Sequence, residues 1–384
     1  MEAKPLRPAR RCDEVTPFQV MEVMEEAAKL ERRGAPVIHM EVGEPDFPTP
    51  RCVVEAVQRA IAEGHTRYTH SLGLPELRQA IAERYKNSVA PPSADQVIVT
   101  AGTSPALVLL FGALLESGDE VILPDPHYSC YKNVIRFVGG KPVPVRLLPE
   151  LGFQFDPDHV RKALTGKTKA IVINSPSNPT GSVLDPECLQ ALCSLGVPII
   201  ADEIYHGLVY GPQVRSILTY TDLAFVIDGF SKRYAMTGWR LGYMVVPEAF
   251  VRPIQKLSQN FYISANDFVQ WAALAALKEA GPDVERMART YDARRRYLAP
   301  ELKRLGFGLP CEGRGAFYLF ADIRPFGLSS MTFVKRLLHE AYIGAAPGSD
   351  FGLSGEGYVR FSYATAASNL KEAVRRMEEF LRKL

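Results

Sequence analysis

The sequence predicts an α/β protein: a large domain built on a mostly parallel sheet flanked by helices, plus a smaller α+β domain. Three observations predict it. Between residues 96 and 246, short β-branched or continuously apolar runs alternate with helical patterns, as in a sheet buried on both faces. After about residue 281, a long charged helical stretch opens a different order of strands and helices. The chain has 384 residues, room for two domains at roughly 100–200 residues each.

In order along the chain, the first segment, residues 1–45, is expected to pack on the small domain. Its boundary is the Gly- and Pro-rich break at Gly43–Pro50. Residues 46–280 form the large domain. There Gln96–Thr100 reads as a strand and Ala106–Leu115 as the helix that follows. Glu120–Leu123, Thr168–Asn174, Pro198–Asp202, Ala224–Ile227 and Leu241–Val246 read as further strands. Residues 281–384 form the small domain, with a helix near Val284–Leu305, a strand at Ala316–Ala321, a helix at Thr332–Ala341 and a strand at Tyr358–Tyr363. In the last helix, Leu370, Val374, Met377, Phe380 and Leu381 fall on one stripe opposite Lys and Glu.

Composition narrows the function. Lys plus Arg number 45 against 43 Asp plus Glu, which gives no electrostatic reason to expect nucleic acid. No apolar run approaches the ~18 residues of a membrane span. The basic stretch Met1–Asp13 lacks the apolar segment of a secretory signal, and the acids that follow it argue against a transit peptide. The expectation is a cytoplasmic protein. Its six cysteines form no CxxC pair and are expected to be reduced, mostly buried thiols. The histidines show no metal-ligand spacing, so no metal is expected.

Four segments carry chemistry. In Ser231-Lys232-Arg233-Tyr234-Ala235-Met236-Thr237-Gly238-Trp239-Arg240, the lysine follows the apolar strand ending at Asp228-Gly229-Phe230. It can leave the carboxyl edge of the sheet and enter a cleft. Desolvation there lowers an amine's pKa and makes it a nucleophile towards an aldehyde. Arg240 is suited to a phosphate through paired hydrogen bonds; the bland alternative is a turn with surface charges. Asp202 ends another apolar strand, where a buried acid needs a partner such as a protonated pyridine nitrogen. Taken alone, an Asp at a strand end is more often a helix cap. Tyr205 and Asn178, the latter in the turn Asn174-Ser175-Pro176-Ser177-Asn178-Pro179-Thr180-Gly181, suit a phenolic oxygen. Thr100-Ala101-Gly102-Thr103-Ser104-Pro105 joins strand to helix as an anion-binding cup or a plain N-cap.

Together these segments resemble the class I/II aminotransferases, fold-type-I pyridoxal-phosphate enzymes, in their aspartate-aminotransferase-like branch. The likeness spans almost the whole chain, from Gly43-Glu44-Pro45-Asp46-Phe47 through Tyr68 and Gly73-Leu74-Pro75-Glu76-Leu77-Arg78 to Pro347-Gly348-Ser349 and Tyr358-Val359-Arg360-Phe361-Ser362-Tyr363. The resemblance implies that Lys232 is the Schiff-base lysine and that Asp202 faces the pyridine nitrogen. It implies that Asn178 and Tyr205 bind the phenolic oxygen, and that Gly102, Thr103, Ser104, Ser231 and Arg240 hold the phosphate. Tyr128 matches the aromatic stacked on the ring. Arg360 matches the clamp for the substrate α-carboxylate, with Gly43 and Asn178 beside it. Tyr68 matches a residue that reaches the neighbouring subunit's phosphate, so a homodimer with shared sites is implied. One departure is Gly229, where relatives often carry a serine.

The implied reaction moves an amino group from an α-amino acid to a 2-oxo acid by a ping-pong mechanism. Alternatives that use the same site are a C–S lyase or a cyclopropane-forming lyase. A pyridoxal-phosphate-sensing regulator would carry a DNA-binding module, and no basic helix-turn-helix segment of ~60 residues is seen before residue 43, so this alternative is not expected. Substrate breadth is expected. Dicarboxylate-specific relatives place a second arginine against the distal carboxylate, and the matching stretch, Ser258-Gln259-Asn260-Phe261-Tyr262-Ile263-Ser264, has none. Alanine or aromatic donors are then expected to compete with aspartate, unless Lys256 or another cation fills the role.

Overall fold

The computed structural model describes residues 6–384. Met1–Pro5, the start of the basic stretch read above, lie outside the described residues. Among the described residues, twelve strands form three sheets. They are β1 (Ile38–His39), β2 (Val97–Thr100), β3 (Glu120–Asp125), β4 (Lys141–Arg146), β5 (Thr168–Asn174), β6 (Ile199–Asp202), β7 (Ala224–Gly229), β8 (Gly242–Val245), β9 (Tyr318–Asp322), β10 (Ile343–Gly344), β11 (Ala346–Pro347) and β12 (Tyr358–Ser362).

The main sheet has seven strands in the order β2-β8-β7-β6-β5-β3-β4. All neighbours run parallel except β8, which is antiparallel to both β2 and β7. Successive side chains of a strand point to opposite faces, and here both faces are apolar and covered. Ile98, Val172, Ile200 and Phe225 pack under the helices Thr103–Leu114 and Cys130–Phe137. Val97, Ile171, Ile199 and Val226 join a larger cluster that continues into the C-terminal part of the chain. A continuously hydrophobic strand is the expected result, which is why these strands were legible.

Two elements differ from the sequence reading. β4 was not anticipated, because Pro142 and Pro144 argue against a strand. It lies at the sheet edge, pairs only with β3, and is partly exposed, and an edge strand tolerates residues that cannot donate. The helix expected from Ala106 begins at Thr103, with Gly102 as its N-cap at φ +104°. Pro105 falls in the first turn, where an amide has no helical partner to lose. The thiols also differ: Cys12 is exposed and the other five are half-buried. Cys52, beside fully buried Val53, and Cys188 and Cys193, around Leu189 and Leu192, sit on the flanks of amphipathic helices rather than in their packed stripes.

The C-terminal part carries the antiparallel sheet β11-β12-β9. The helix Ser330–Ala341 packs beside it, and Ala367–Leu381 packs on that helix and on Gly281–Arg304. The N-terminal segment reaches both regions. β1 pairs in parallel with β10, and the amides of Gln19 and Val20 donate to the Asp350 carboxylate. Thr16 meanwhile bonds Asn133 of the large-sheet side. Among the described residues, no helix is long and apolar enough to cross a membrane.

Candidate active site

β5 and β6 end side by side, in register, at Asn174 and Asp202, and β7, whose Ile227 is paired with Asp202, runs two residues further to Gly229. Parallel strands so arranged open a crevice at their carboxyl edge. A cleft of about 270 Å³ lies there. It is lined by Gly43, Thr103, Ser104, Tyr128, Asn178, Asp202, Tyr205, Ser231, Lys232, Arg240 and Arg360. The sequence-predicted residues therefore converge, from segments more than 300 positions apart, on one cavity. Gly102 borders it as the N-cap beside Arg240. Tyr68 is not part of the cleft of its own chain; it is 81% exposed.

The Lys232 side chain enters the cleft, and its ammonium donates to the Gly43 carbonyl at 2.6 Å. Burial pulls its pKa down to about 8, against a smaller upward pull from Glu44. The neutral, nucleophilic amine is thus far more populated near neutrality than in a free lysine.

Asp202 is buried at the end of β6. Its carboxylate accepts from the Tyr131 hydroxyl at 2.5 Å and from the Ile204 amide at 3.2 Å. Both donors are neutral. Burial, the largest influence, raises its pKa to about 6 although both hydrogen bonds oppose the rise. The carboxylate is oriented, and among the described residues it forms no ion pair.

At the opposite wall, Arg360 is 3% exposed. It donates to Asn178 Oδ1 at 2.7 Å and to the Glu41 carbonyl at 2.5 Å. Its Nε is buried without a partner. An orphaned guanidinium N–H is costly unless something binds it. The Asn178 side chain is thus held by Arg360, while its amide donates to Asn174 Oδ1.

The third corner is an anion cup. Thr103 and Ser104 open the helix Thr103–Leu114, where free amides point outward. A Cβ at Gly102 would stand 2.6 Å from the Arg240 guanidinium, and one at Gly242 would stand 2.9 Å from the Thr103 amide nitrogen. Only glycines allow this approach. Arg240 and Ala235 themselves adopt left-handed φ of +54° and +50°, a strain that persists where surrounding structure enforces it. Ser231 lines the cleft, whereas Gly229 does not. A side chain at Gly229 would crowd the Gly242 Cα at 3.1 Å, so packing between β7 and β8 favours glycine there.

Several lining residues escaped the sequence reading. Tyr131 stands three residues after Tyr128, one helical turn on, a spacing that would have pointed to it. Tyr318 lies on β9 beside the strand of Arg360. Phe18, Val20, Met21 and Met24 of the N-terminal helix form an apolar wall. No local motif marks that helix, because its role arises only from tertiary placement.

Comparisons with known proteins show the family. Residues 35–377 match the family model described as aminotransferase class I and II. The chain is 40% identical to the aspartate/prephenate aminotransferase of Thermus thermophilus, covering 97% of this chain and 98% of that protein. It is 41% identical to a (5-formylfuran-3-yl)methyl phosphate transaminase of Methanocaldococcus jannaschii, covering 95% and 97%. The solved aspartate aminotransferase of Thermus thermophilus with maleate superposes with a TM-score of 0.94 at 38% identity, covering 98% of this chain and all 100% of that one. The chain belongs to the class I and II aminotransferases. It is a pyridoxal-phosphate-dependent transaminase, acting on amino acids and 2-oxo acids.

Proposed function

We propose that the cleft holds pyridoxal phosphate and transfers amino groups from a broad range of α-amino acids, with alanine and aromatic donors competing with aspartate. The observation that carries the reading is the convergence of an amine, a buried cation-free carboxylate and an orphaned guanidinium in one cavity. The donors fit the cofactor: Asp202 suits the ring nitrogen, Tyr205 and Asn178 the phenolic oxygen, and Gly102, Thr103, Ser104, Ser231 and Arg240 the phosphate. When bound, pyridoxal phosphate supplies an electrophilic carbon and an electron sink.

The protein's own groups supply the rest. Lys232 would hold the cofactor covalently and, once freed by the substrate amine, would be the base that takes the Cα proton and later returns it. Its lowered pKa suits that task near pH 8. Asp202, ionised, would pair with the ring nitrogen and favour its protonated form. Arg360 turns Nε and its remaining donors to the α-carboxylate and fixes the Cα–H bond in one direction. Asn178 spans the two sub-sites. Because one amine leaves before the second oxo acid enters, kinetics are ping-pong.

The side-chain end of the cleft supports a neutral substrate. Phe18, Val20, Met21 and Met24 face it, and among the described residues Lys232, Arg240 and Arg360 are the only Lys or Arg in the lining. Gln259, in the stretch matched to the distal-carboxylate arginine, bonds Ser71 at 3.3 Å, and Asn260 bonds its own helix.

A homodimer completes the site in this reading. Tyr68, Phe261 and Ile263 are exposed aromatic and aliphatic residues, and the backbone beside them is tied together by Thr69 and Ser264. Exposed apolar surface of this kind marks an interface. Mixed dimers of Tyr68→Phe and Lys232→Ala subunits are expected to recover activity; exchange without recovery would contradict sharing. The reading also keeps the division at residues 1–45, 46–280 and 281–384, and a cytoplasmic location.

The half-reaction tests transamination. Loaded enzyme given an amino acid alone should release about one oxo acid per site and then stop until an oxo acid is added. Continuous release of pyruvate and ammonia from cystathionine would replace it with the lyase reading.

A further inference from the structure

Tyr318 touches three parts of the site at once. It begins β9, opposite Ser362, so Arg360 on β12 is its diagonal neighbour, within reach of an aromatic side chain. The Arg360 guanidinium lies 4.3 Å from the centre of the Tyr318 ring and 4.9 Å from that of Phe351. The Tyr318 hydroxyl stands 2.7 Å from the Tyr205 hydroxyl. A Cβ at Gly43 would fall 2.5 Å from that same hydroxyl, and the Gly43 carbonyl receives the Lys232 ammonium. Tyr318 is fully buried.

From this geometry we infer that Tyr318 is a positioning residue that ties the carboxylate clamp to the group facing the cofactor's phenolic oxygen. The inference rests on Tyr205 facing that oxygen. A phenol carries one proton. If Tyr205 donates its proton to the cofactor, Tyr318 must donate to the Tyr205 oxygen. A hydroxyl that accepts a hydrogen bond becomes a better donor, so Tyr318 stabilises negative charge on the phenolic oxygen through Tyr205. Its ring meanwhile keeps the guanidinium flat by a desolvated cation–π contact. The two functions separate chemically: the hydroxyl acts on the cofactor, the ring on the substrate.

Two substitutions read them apart. Tyr318→Phe keeps the ring and removes the hydroxyl. The pH midpoint of the bound cofactor's visible absorbance should rise by about 0.5–1 unit, and kcat should fall about three- to tenfold, with KM for the amino donor within about twofold. Tyr318→Leu removes both and should add a KM increase of about tenfold. In a Tyr205→Phe background, Tyr318→Phe should shift the midpoint no further. If Tyr205→Phe moves the midpoint and Tyr318→Phe does not, Tyr318 only fills space and the inference is overturned. If Tyr205→Phe leaves the midpoint where it was, the assignment of Tyr205 fails and the inference falls with it. An additive shift in the double variant would also overturn it, since the two hydroxyls would then act separately.

Discussion

Asp202 and Asp228 end adjacent strands, are both buried, and differ in what answers their charge. Asp228 accepts from the Tyr243 hydroxyl at 2.7 Å and from the Gly229 amide at 2.6 Å, and it faces the Arg84 guanidinium at 3.5 Å. Arg84 in turn donates to Tyr243 at 2.6 Å. That network is closed: a buried charge with an opposite charge and its lone pairs met. Asp202 has two neutral donors and a cavity in front of it. The same residue type at the same kind of strand end is structural in one case and an open electrostatic socket in the other. The difference is the missing cation.

The largest effect expected near the socket comes from the amine. Lys232→Ala should lower turnover by at least ~10⁴-fold, since losing proton transfer alone costs ~10²–10⁴ and the covalent attachment is lost as well. Steady-state assays with a folding control by circular dichroism check this. Near-normal transamination would remove Lys232 from the mechanism.

The two acids should then respond in opposite ways. Asp202→Asn should slow the half-reaction by about 10²–10³-fold, the equivalent of losing a buried charged partner. The cofactor-free protein, however, should not lose stability. The folded carboxyl titrates at about 6 against roughly 4 in the unfolded chain. Its stabilising proton is therefore fully present below pH ~4 and lost as pH rises through ~6. Above that, ionisation opposes folding by on the order of 3 kcal/mol. The Asn variant should accordingly melt at the same or a higher temperature at pH 8 and lose that advantage near pH 4. Asp228→Asn should do the reverse. It leaves Arg84 unpaired and costs about 2–3 kcal/mol, less than a fully enclosed pair because Arg84 is 23% exposed, while the chemistry is largely spared. Thermal melts of both cofactor-free variants decide it; matching losses of stability would erase the distinction.

The smallest effect concerns the far end of the cleft, whose wall is apolar. The kcat/KM for aspartate should exceed that for alanine or phenylalanine by less than ~100-fold, or ~2.7 kcal/mol. A larger preference would mean that a cation outside this chain's own lining reaches the substrate.

These contrasts also explain what the sequence discloses. The sheet edge was legible because each strand is buried on both faces and ends in a short motif, so Lys232, Asp202 and Asn178 announce themselves locally. β4 was hidden because its two prolines matter only in an interior strand. Tyr131, Tyr318 and the wall from Phe18 to Met24 were hidden for another reason. Each is an ordinary core residue by pattern, and its place at the cleft depends on packing between distant segments. The same holds for the two aspartates: nothing local says that Arg84 answers one and nothing answers the other.

The central claim is that Asp202 lacks a cation because the cofactor's ring nitrogen supplies one. Nitrogen-15 NMR of enzyme loaded with ring-labelled pyridoxal phosphate tests it directly. The account predicts a protonated ring nitrogen in the unaltered enzyme at pH 7.5 and an unprotonated one in Asp202→Asn. An unprotonated nitrogen in the unaltered enzyme, or no difference between the two, would contradict it.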